Sequence, residues 1–274
     1  MPEINQSVPN IPFPKAPYFA RATCPAGPAL LRLTESGSAR VVSIPGRFCV
    51  SHVIEGPESL VVVDLGSASD IRLIDAVAKW LEKPVAMIVP SHLHFDHIVG
   101  IEPGSKFFGS PVGLGTAAFS LIKSGKKSKG PKPRTLSKFF SGWVWQGIPG
   151  PAKGDLSKAL RFGFPWSRND FSQVGPELKD NRQVPFLNGW ISIPTPGHTN
   201  ECLSLYHVES GFLVCGDTMR NFQGGEWNQI ITDGKTYEKT KLMLGLMEIN
   251  ALFPGHGNPI IGKRNISRLF FGGK

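Results

Sequence analysis

Three histidines and one aspartate lie within six residues, directly after an apolar stretch. They are His92, His94, Asp96 and His97. The apolar run before them, residues 85–90, is typical of a buried strand. The four side chains are therefore expected on the loop where a core strand ends. Because zinc, iron and manganese prefer neutral imidazoles and carboxylates as ligands, this stretch predicts a metal site.

Three further predicted strands each lead into a residue that can bind a metal. These residues are His198, Asp217 and His256. The ends of adjacent core strands meet at one edge of a sheet, and rigid strands can hold ligands in coordination geometry. Since five of the seven histidines follow such strands, we expect a single composite site.

The combination of these motifs resembles the metallo-β-lactamase superfamily. The resemblance is carried by the blocks His92-x-His94-x-Asp96-His97, Gly197-His198, Gly216-Asp217, Gly255-His256 and the earlier Asp64-Leu65-Gly66. It extends from about residue 29 to about residue 260, and residues 124–185 match poorly. The chain is thus identified as similar to this superfamily over most of its length.

The resemblance implies an α/β fold, a four-layer αββα sandwich in which two mixed sheets pack face to face between helices. It also implies two divalent metal ions, zinc first, with iron or manganese as alternatives. In the family pattern one metal is held by His92, His94 and His198. The other is held by Asp96, His97 and His256, and Asp217 bridges the two. In the family pattern Asp64 hydrogen-bonds loop backbone near the site and does not bind a metal.

Such a site predicts hydrolysis. Two dications about 3.5–4 Å apart can share a hydroxide, and coordination lowers the pKa of water toward about 7. We expect this bridging hydroxide to attack a carbonyl or phosphoryl centre while one metal polarises the substrate oxygen. Asp96 is the expected catalytic residue, because it can orient the nucleophile or carry its proton while it binds metal.

The substrate is expected to be a small ester, thioester or lactone, because the motifs are similar to those of the glyoxalase II and lactonase branches. The residues that hold glutathione in glyoxalase II-like enzymes are not evident in residues 222–227. Lactonases of this kind carry a tyrosine three positions after the bridging aspartate, where this chain has Arg220. A guanidinium there suits a carboxylate or phosphate on an anionic substrate. The alternative is a structural arginine held in a salt bridge.

Two other functions stay open. The first is a phosphodiesterase or nuclease, because the net charge is +9 and residues 123–138 contain seven basic and no acidic residues. Nucleic acid is the less favoured partner, since no recognisable binding module accompanies these residues. The second is a persulfide dioxygenase-like oxidoreductase, in which one iron is held by residues equivalent to His92, His198 and Asp217.

Length and composition indicate one domain that contains an insertion. The 274 residues are 41% hydrophobic and include 31 Gly and 24 Pro, as in a loop-rich globular enzyme. Four dispersed cysteines without a CxxC pair, no signal peptide and no apolar run of membrane-spanning length predict a cytoplasmic protein. The aromatic-rich residues 124–185 are interpreted as a cap with short helices, which forms a substrate pocket, a satellite core or a homodimer contact.

The predicted elements include several that the structure can test. Residues 71–81 have helical apolar spacing, and residues 106–108 with 111–112 indicate a strand. Residues 236–250 are expected to form a helix, and residues 1–20 an extended arm. The letters Gly113-x-Gly115-x-x-Ala118 indicate a strand-to-helix turn. His52 and His207 are interpreted as packing residues, and Cys215 as a buried thiol.

Overall fold

The computed structural model describes residues 3–11, 31–126, 171–222, 224–262 and Ile266. Helices and strands are numbered below in chain order among these residues. The predicted basic segment from Lys127 to Lys138, Cys24, and the aromatic residues between 139 and 166 lie outside the described part of the chain.

The first sheet has eight strands arranged in sequence order. Its first five strands run antiparallel, and β5 to β8 run parallel to one another. The strands are β1 (Asn5–Ser7), β2 (Arg32–Ser36), β3 (Ala39–Pro45), β4 (Val50–Glu55), β5 (Leu60–Val63), β6 (Val85–Val89), β7 (Val112–Gly115) and β8 (Val174–Leu178).

The second sheet has five strands in the order β15-β14-β11-β10-β9. β11 and β14 are parallel, and the other neighbours are antiparallel. The strands are β9 (Trp190–Pro194), β10 (Leu203–His207), β11 (Phe212–Gly216), β14 (Ala251–Pro254) and β15 (Ile260–Ile261). A separate two-stranded ribbon joins β12 (Met219–Arg220) and β13 (Glu226–Trp227).

Helices cover the outer faces of both sheets. They are α1 (Ile71–Trp80), α2 (Phe95–Ile98), α3 (Ile101–Phe108), α4 (Thr116–Lys123) and α5 (Gly234–Gly245). In α1 the buried residues Ile71, Ile74, Val77 and Ala78 follow the 3.6-residue period, so one face of the helix packs on the first sheet. No helix of the described residues is both long and apolar enough to span a membrane.

Three apolar clusters define the layers. Val61, Met87, Leu205 and Phe253 belong to a cluster that draws on both sheets and lies between them. A second cluster joins the outer face of the first sheet to α1, α3 and α4, and a third joins the second sheet to α5. Burial of these faces is the main driving force for assembling the layers. The predicted αββα sandwich is confirmed.

Two predicted elements differ from those observed. Residues 106–108 are the end of helix α3, so the strand expected there is wrong, and β7 begins only at Val112. Gly109 adopts φ +67° and ends the helix, and Phe107 is 59% exposed rather than paired in a sheet. The helix expected at 236–250 spans Gly234–Gly245 because the Asp233 carboxylate caps its first turn.

The predicted insertion is described only in part. Within residues 124–185, Val174–Leu178 forms edge strand β8 of the first sheet, which the sequence did not indicate. The short helices expected there fall on residues outside the described part. Near the N-terminus, Asn5–Ser7 of the expected arm pairs with β2. β7 and α4 meet at Gly115, as predicted for the strand-to-helix turn.

Candidate metal centre

Five strands of the two sheets end at one edge of the sandwich, and each leads into a residue of the site. β5 leads into Asp64, β6 into the 92–97 block, β9 into His198, β11 into Asp217 and β14 into His256. All of these side chains are buried. The structure therefore shows the expected convergence of strand ends.

The first group contains His92, His94 and His198, whose ring nitrogens lie within 4.8 Å of one another. His94 Nδ1 and His198 Nε2 are 3.0 Å apart. The other nitrogen of His198, Nδ1, donates to the Ile230 carbonyl. A neutral His198 ring therefore presents a lone pair from Nε2 toward the group, as a metal ligand must.

The second group contains Asp96, His97 and His256 within the same 4.8 Å limit. His256 Nε2 lies 3.5 Å from Asp96 Oδ2. Asp217 stands between the two groups, because its Oδ1 lies 3.3 Å from His97 Nε2 and 3.4 Å from His256 Nε2. Its Oδ2 faces the first group, 3.7 Å from His198 Nε2. One carboxylate thus offers one oxygen to each group.

Asp64 sets the orientation of a histidine in each group. Its Oδ1 accepts from the Ser91 backbone N–H at 2.7 Å, and its Oδ2 accepts from Ser91 Oγ at 2.8 Å and from His97 Nδ1 at 2.8 Å. Because the Ser91 hydroxyl proton is used, Ser91 Oγ accepts from His92 Nδ1 at 3.1 Å. Both rings therefore point Nε2 into the site. The backbone role expected for Asp64 is observed, together with this second role.

Asp64 holds an unusual backbone conformation. It follows β5 with φ +61°, which few residues other than glycine adopt. Such strain persists where the surrounding structure requires it, and here the carboxylate makes three hydrogen bonds.

The electrostatics favour imidazoles that are free to bind a cation. Burial lowers the pKa of His94 from 6.5 to about 3. Burial also lowers the pKa of His198, and burial with the neighbouring rings of His97 and His94 lowers the pKa of His92 well below its ordinary value. These three rings are neutral at pH 7, the form in which histidine coordinates metals.

The second group carries a negative field. Burial alone would raise the pKa of Asp217, but the nearby His256 and His97 rings hold it well below its ordinary value. Burial alone would lower the pKa of His97, but the carboxylates of Asp64, Asp217 and Asp96 raise it well above 6.5. These carboxylates stabilise a proton on His97. A bound cation would take the place of that proton and would be stabilised by the same carboxylates.

The residues present fit divalent metal ions. Buried polar atoms of these residues lack a hydrogen-bond partner among the described residues, and they include His92 Nε2, His97 Nε2, His256 Nδ1, Asp96 Oδ1 and Asp217 Oδ1. Leaving such atoms unsatisfied is costly unless a ligand engages them. Nitrogen and carboxylate donors in this mixture suit zinc, iron or manganese.

Asn228 is a residue of the site that sequence reasoning missed. Its Nδ2 donates to the Asp217 carbonyl at 2.9 Å and to Asp217 Oδ2 at 3.3 Å. Its Oδ1 accepts from the Ile230 N–H at 2.9 Å, and the Ile230 carbonyl accepts from His198. One buried amide therefore orients both Asp217 and His198. Nothing in the sequence around residue 228 signals this contact.

His52 also has a more specific role than packing. The ring is fully buried on β4, where Nε2 donates to the Pro254 carbonyl at 2.9 Å and Nδ1 accepts from Ser43 Oγ at 3.0 Å. The Val50 N–H donates to the Gly255 carbonyl at 2.7 Å. β4 of the first sheet thus holds the segment of the second sheet that carries His256.

Glycine is required where that segment crosses the site. A Cβ atom added at Gly255 would lie 2.5 Å from His97 Cε1 and 3.0 Å from Asp217 Oδ1. Gly216, with φ +48°, lies against the Ser91 side chain at the end of β11. Both glycines allow the backbone to approach the ligand residues closely.

Arg220 lies on β12, three residues after Asp217. Its guanidinium carbon is 5.2 Å from the centre of the Phe222 ring, and that ring is 5.9 Å from the centre of the His256 ring. Arg220 Nε is buried and has no hydrogen-bond partner among the described residues. The ion pairs of the described residues do not include Arg220, so the salt-bridged alternative is not observed.

The remaining histidine, His207, and the described cysteines make contacts within the folded core and hairpins and do not belong to the site. His207 bonds Ser210 in the β10–β11 turn and packs on Trp190. Cys215 is a buried free thiol directed at backbone carbonyls, as predicted. Cys49 and Cys202 are also free and buried.

Comparisons with known proteins agree with this geometry. A model of the metallo-beta-lactamase superfamily matches residues 44–256. The chain is 27% identical over 231 residues to the probable metallo-hydrolase YflN of Bacillus subtilis (strain 168), covering 78% of this chain and 81% of that protein.

Solved structures show the same fold. One is ST1585, a metallo-beta-lactamase superfamily protein from Sulfolobus tokodaii, at TM-score 0.55 and 19% identity, with 84% of each chain covered. Another is TTHA1623 in a di-iron-bound form, at TM-score 0.52 and 20% identity, with 83% of this chain and 96% of that chain covered.

Proposed function

Because the chain belongs to the metallo-beta-lactamase superfamily, we propose that it is a dinuclear metal-dependent hydrolase of a small ester, thioester or lactone. His92, His94 and His198 would hold one metal ion, and Asp96, His97 and His256 the other. Asp217 would bind both.

The observation that carries the proposal is the position of Asp217. Its Oδ1 lies within 3.4 Å of two imidazole nitrogens of the second group, and its Oδ2 faces His198 of the first at 3.7 Å. An aspartate with a purely structural role needs only one set of partners. A carboxylate shared between two sets of buried donors is what two adjacent cations require, because its charge offsets part of their repulsion.

When bound, the metal ions supply a Lewis acid for the substrate oxygen and a water that ionises near neutral pH. The residues of this chain then do three things. Asp64 and Asn228 orient the imidazoles and Asp217. The buried walls exclude bulk water, which strengthens electrostatic interactions in the site. Asp96 directs Oδ2 to His256 and leaves Oδ1 as the atom that accepts the proton of the attacking water.

Metal identity follows from affinity and supply. The donor set accepts zinc, iron or manganese, and zinc is proposed first because it binds more tightly than iron or manganese in the general order. The di-iron form of TTHA1623 supports two metals in a related fold and keeps iron as an alternative. A cytoplasmic location and a small-molecule substrate remain part of the proposal.

A small anionic substrate is favoured over a nucleic acid by the described part of the site. The basic segment that favours a phosphodiesterase is described only at its start, where Lys123 and Lys126 are exposed. The rest of the segment lies outside the described residues. Arg220, by contrast, is described and lies one aromatic ring from His256. A single guanidinium suits a small anionic substrate better than a long nucleic acid strand.

A substrate panel tests the proposal. Metal-loaded protein is assayed with aryl esters, thioesters, lactones of several chain lengths and bis-nitrophenyl phosphate. Hydrolysis of a carbonyl substrate that is lost in His92→Ala, and unchanged in the hairpin variant His207→Gln, is the expected result. Cleavage of the phosphodiester alone would transfer the proposal to the phosphodiesterase branch. Turnover that survives His92→Ala would overturn the assignment of the site.

A further inference from the structure

We propose that Tyr237 on α5 is a positioning residue for the candidate metal centre, and that it fixes His198 and Asp217 relative to each other. The inference rests on the hydrolase proposal, because it takes these two residues as metal ligands. Tyr237 is not itself among the candidate ligands. It acts through the backbone of the two segments that carry His198 and Asp217.

Tyr237 packs against the segment that carries His198. A Cβ atom added at Gly197 would lie 2.4 Å from Cδ2 of Tyr237, 2.6 Å from its Cβ and 2.7 Å from its Cα. The tyrosine therefore lies directly against the backbone of the residue before His198, an approach that glycine permits. The position of this backbone consequently depends on where the tyrosine lies.

The hydroxyl of the same side chain reaches the segment that carries Asp217. Tyr237 Oη donates to the carbonyl oxygen of Thr218 at 2.6 Å. Burial is the main cause that raises the pKa of Tyr237 above its ordinary value of 10, so the hydroxyl keeps its proton and remains a donor at neutral pH. One aromatic side chain thus links the residue before His198 to the residue after Asp217.

Tyr237 is itself held firmly. Its side chain is buried, and its ring packs edge to face with Trp227 of β13, with 5.9 Å between the ring centres. The start of α5 is tied to the same ligand segment, because the Thr232 N–H donates to the Gly197 carbonyl at 2.8 Å and the Thr232 hydroxyl donates to the His198 carbonyl at 2.6 Å. A side chain fixed in this way can hold a ligand segment in place.

His198 and Asp217 are the pair that this contact holds. Their facing atoms, His198 Nε2 and Asp217 Oδ2, are 3.7 Å apart. The second group has other supports, namely Asp64 and strand β4. Loss of the Tyr237 hydroxyl is therefore expected to disturb this pair more than the rest of the centre.

Cobalt(II) binding to Tyr237→Phe tests the inference. The variant keeps the ring against Gly197 and removes only the hydroxyl that bonds the Thr218 carbonyl. The metal-free whole chain is titrated with cobalt(II) against a chelating indicator, and the visible spectrum of the bound cobalt reports its ligand geometry. The affinity for at least one ion should fall about tenfold, as for other groups that orient metal ligands, and the d–d bands should shift. Tyr237→Leu, which also removes the ring from Gly197, should lose more affinity.

Tyr206→Phe is the matched control. Tyr206 is also buried and donates its hydroxyl to a backbone carbonyl, that of Glu248, at 2.9 Å. Urea unfolding of the metal-free proteins should show similar losses of stability in the two phenylalanine variants. Tyr206→Phe should nevertheless keep the wild-type spectrum and a cobalt affinity within about twofold of the wild type.

Two results would overturn the inference. One is a Tyr237→Phe variant that matches the wild type in affinity and spectrum, and the other is a Tyr206→Phe variant that changes both as much as Tyr237→Phe does. Failure of the hydrolase proposal appears differently, as absent turnover of every carbonyl substrate by a wild-type protein that binds its metal ions.

Discussion

His52 on the first sheet donates a hydrogen bond from Nε2 to the carbonyl oxygen of Pro254 on the second sheet, at 2.9 Å. The two residues are 202 positions apart in the chain. Pro254 ends β14 two residues before His256. A buried imidazole between the sheets therefore fixes where the last candidate ligand enters the site. This contact also explains why a histidine occurs within an otherwise apolar interior.

Replacement of His52 by leucine should destabilise the protein and weaken metal binding. Leucine leaves the Pro254 carbonyl and the Ser43 hydroxyl buried without their partner, which costs about 3 kcal/mol in free energy of unfolding. Urea unfolding of the metal-free protein measures the loss. His207→Leu serves as a control, because it removes another buried hydrogen-bonded imidazole that lies away from the site. If both variants lower metal affinity equally, His52 has no special link to His256.

Stability should also depend on pH through His52. The pKa of His52 is lowered from 6.5 to about 4, mainly by burial of the ring. The unfolded chain therefore takes up a proton first as the pH falls, so the stabilisation is complete above 6.5 and declines toward pH 4. The full effect is about 3 kcal/mol. The difference in unfolding free energy between metal-free wild type and His52→Gln should shrink across this window. A difference that stays constant from pH 7 to pH 4 would contradict the assignment.

Asp64→Asn should weaken metal binding without preventing folding. An asparagine has one acceptor oxygen, so it cannot accept from Ser91 and from His97 Nδ1 as the carboxylate does. The Nε2 lone pair of His97 is then no longer fixed toward the site. Loss of such a partner lowers metal affinity by about 10- to 100-fold. Competition with a chelating indicator gives the affinity.

Asp70→Asn is the matched control for Asp64. Asp70 is also buried and also accepts a backbone N–H, from Arg47 at 2.9 Å. The carboxylate is not part of either candidate metal-binding group. We expect its substitution to reduce stability and leave metal affinity within about twofold. Equal losses of affinity in the two variants would show that general destabilisation, and not histidine orientation, is being measured.

Asn228→Ala should lower the affinity for both metals, because Asn228 holds Asp217 directly and His198 through Ile230. About tenfold in affinity is expected. Asn228→Asp should be worse, since a second carboxylate would repel Asp217 Oδ2. Asn250→Ala removes a buried amide of the β11 hairpin and provides the comparison. The role of Asn228 fails if its alanine variant binds metal as the wild type does.

The position of the candidate ligand residues at one sheet edge could be predicted from the sequence because strand ends are strongly marked. Each candidate ligand follows an apolar run and a Gly or Pro, and this local pattern is sufficient to place it at the sheet edge. Asn228 has no such mark: its partners Asp217 and Ile230 are joined to it only by the folded turn of β12 and β13. Tertiary hydrogen bonds of this kind carry no periodic signal.

The misassigned elements have a similar cause. Phe107 and Phe108 end α3, but a short apolar pair before a Gly is equally typical of a strand. His52 is predicted to be a packing residue, and the alternation of β4 does not reveal which residue of the other sheet it meets. Val174–Leu178 has only weak alternation of apolar and polar residues. It forms a strand because it pairs with β7, and the sequence alone does not show that pairing.

The central claim is that the two groups joined by Asp217 hold two metal ions. Elemental analysis of the protein purified without chelators, with metal expressed per chain, measures this most directly. We expect two ions per wild-type chain, of zinc, iron or manganese, and fewer than two in Asp217→Ala. A wild-type protein saturated by a single iron ion per chain would contradict the claim and favour the mononuclear oxidoreductase.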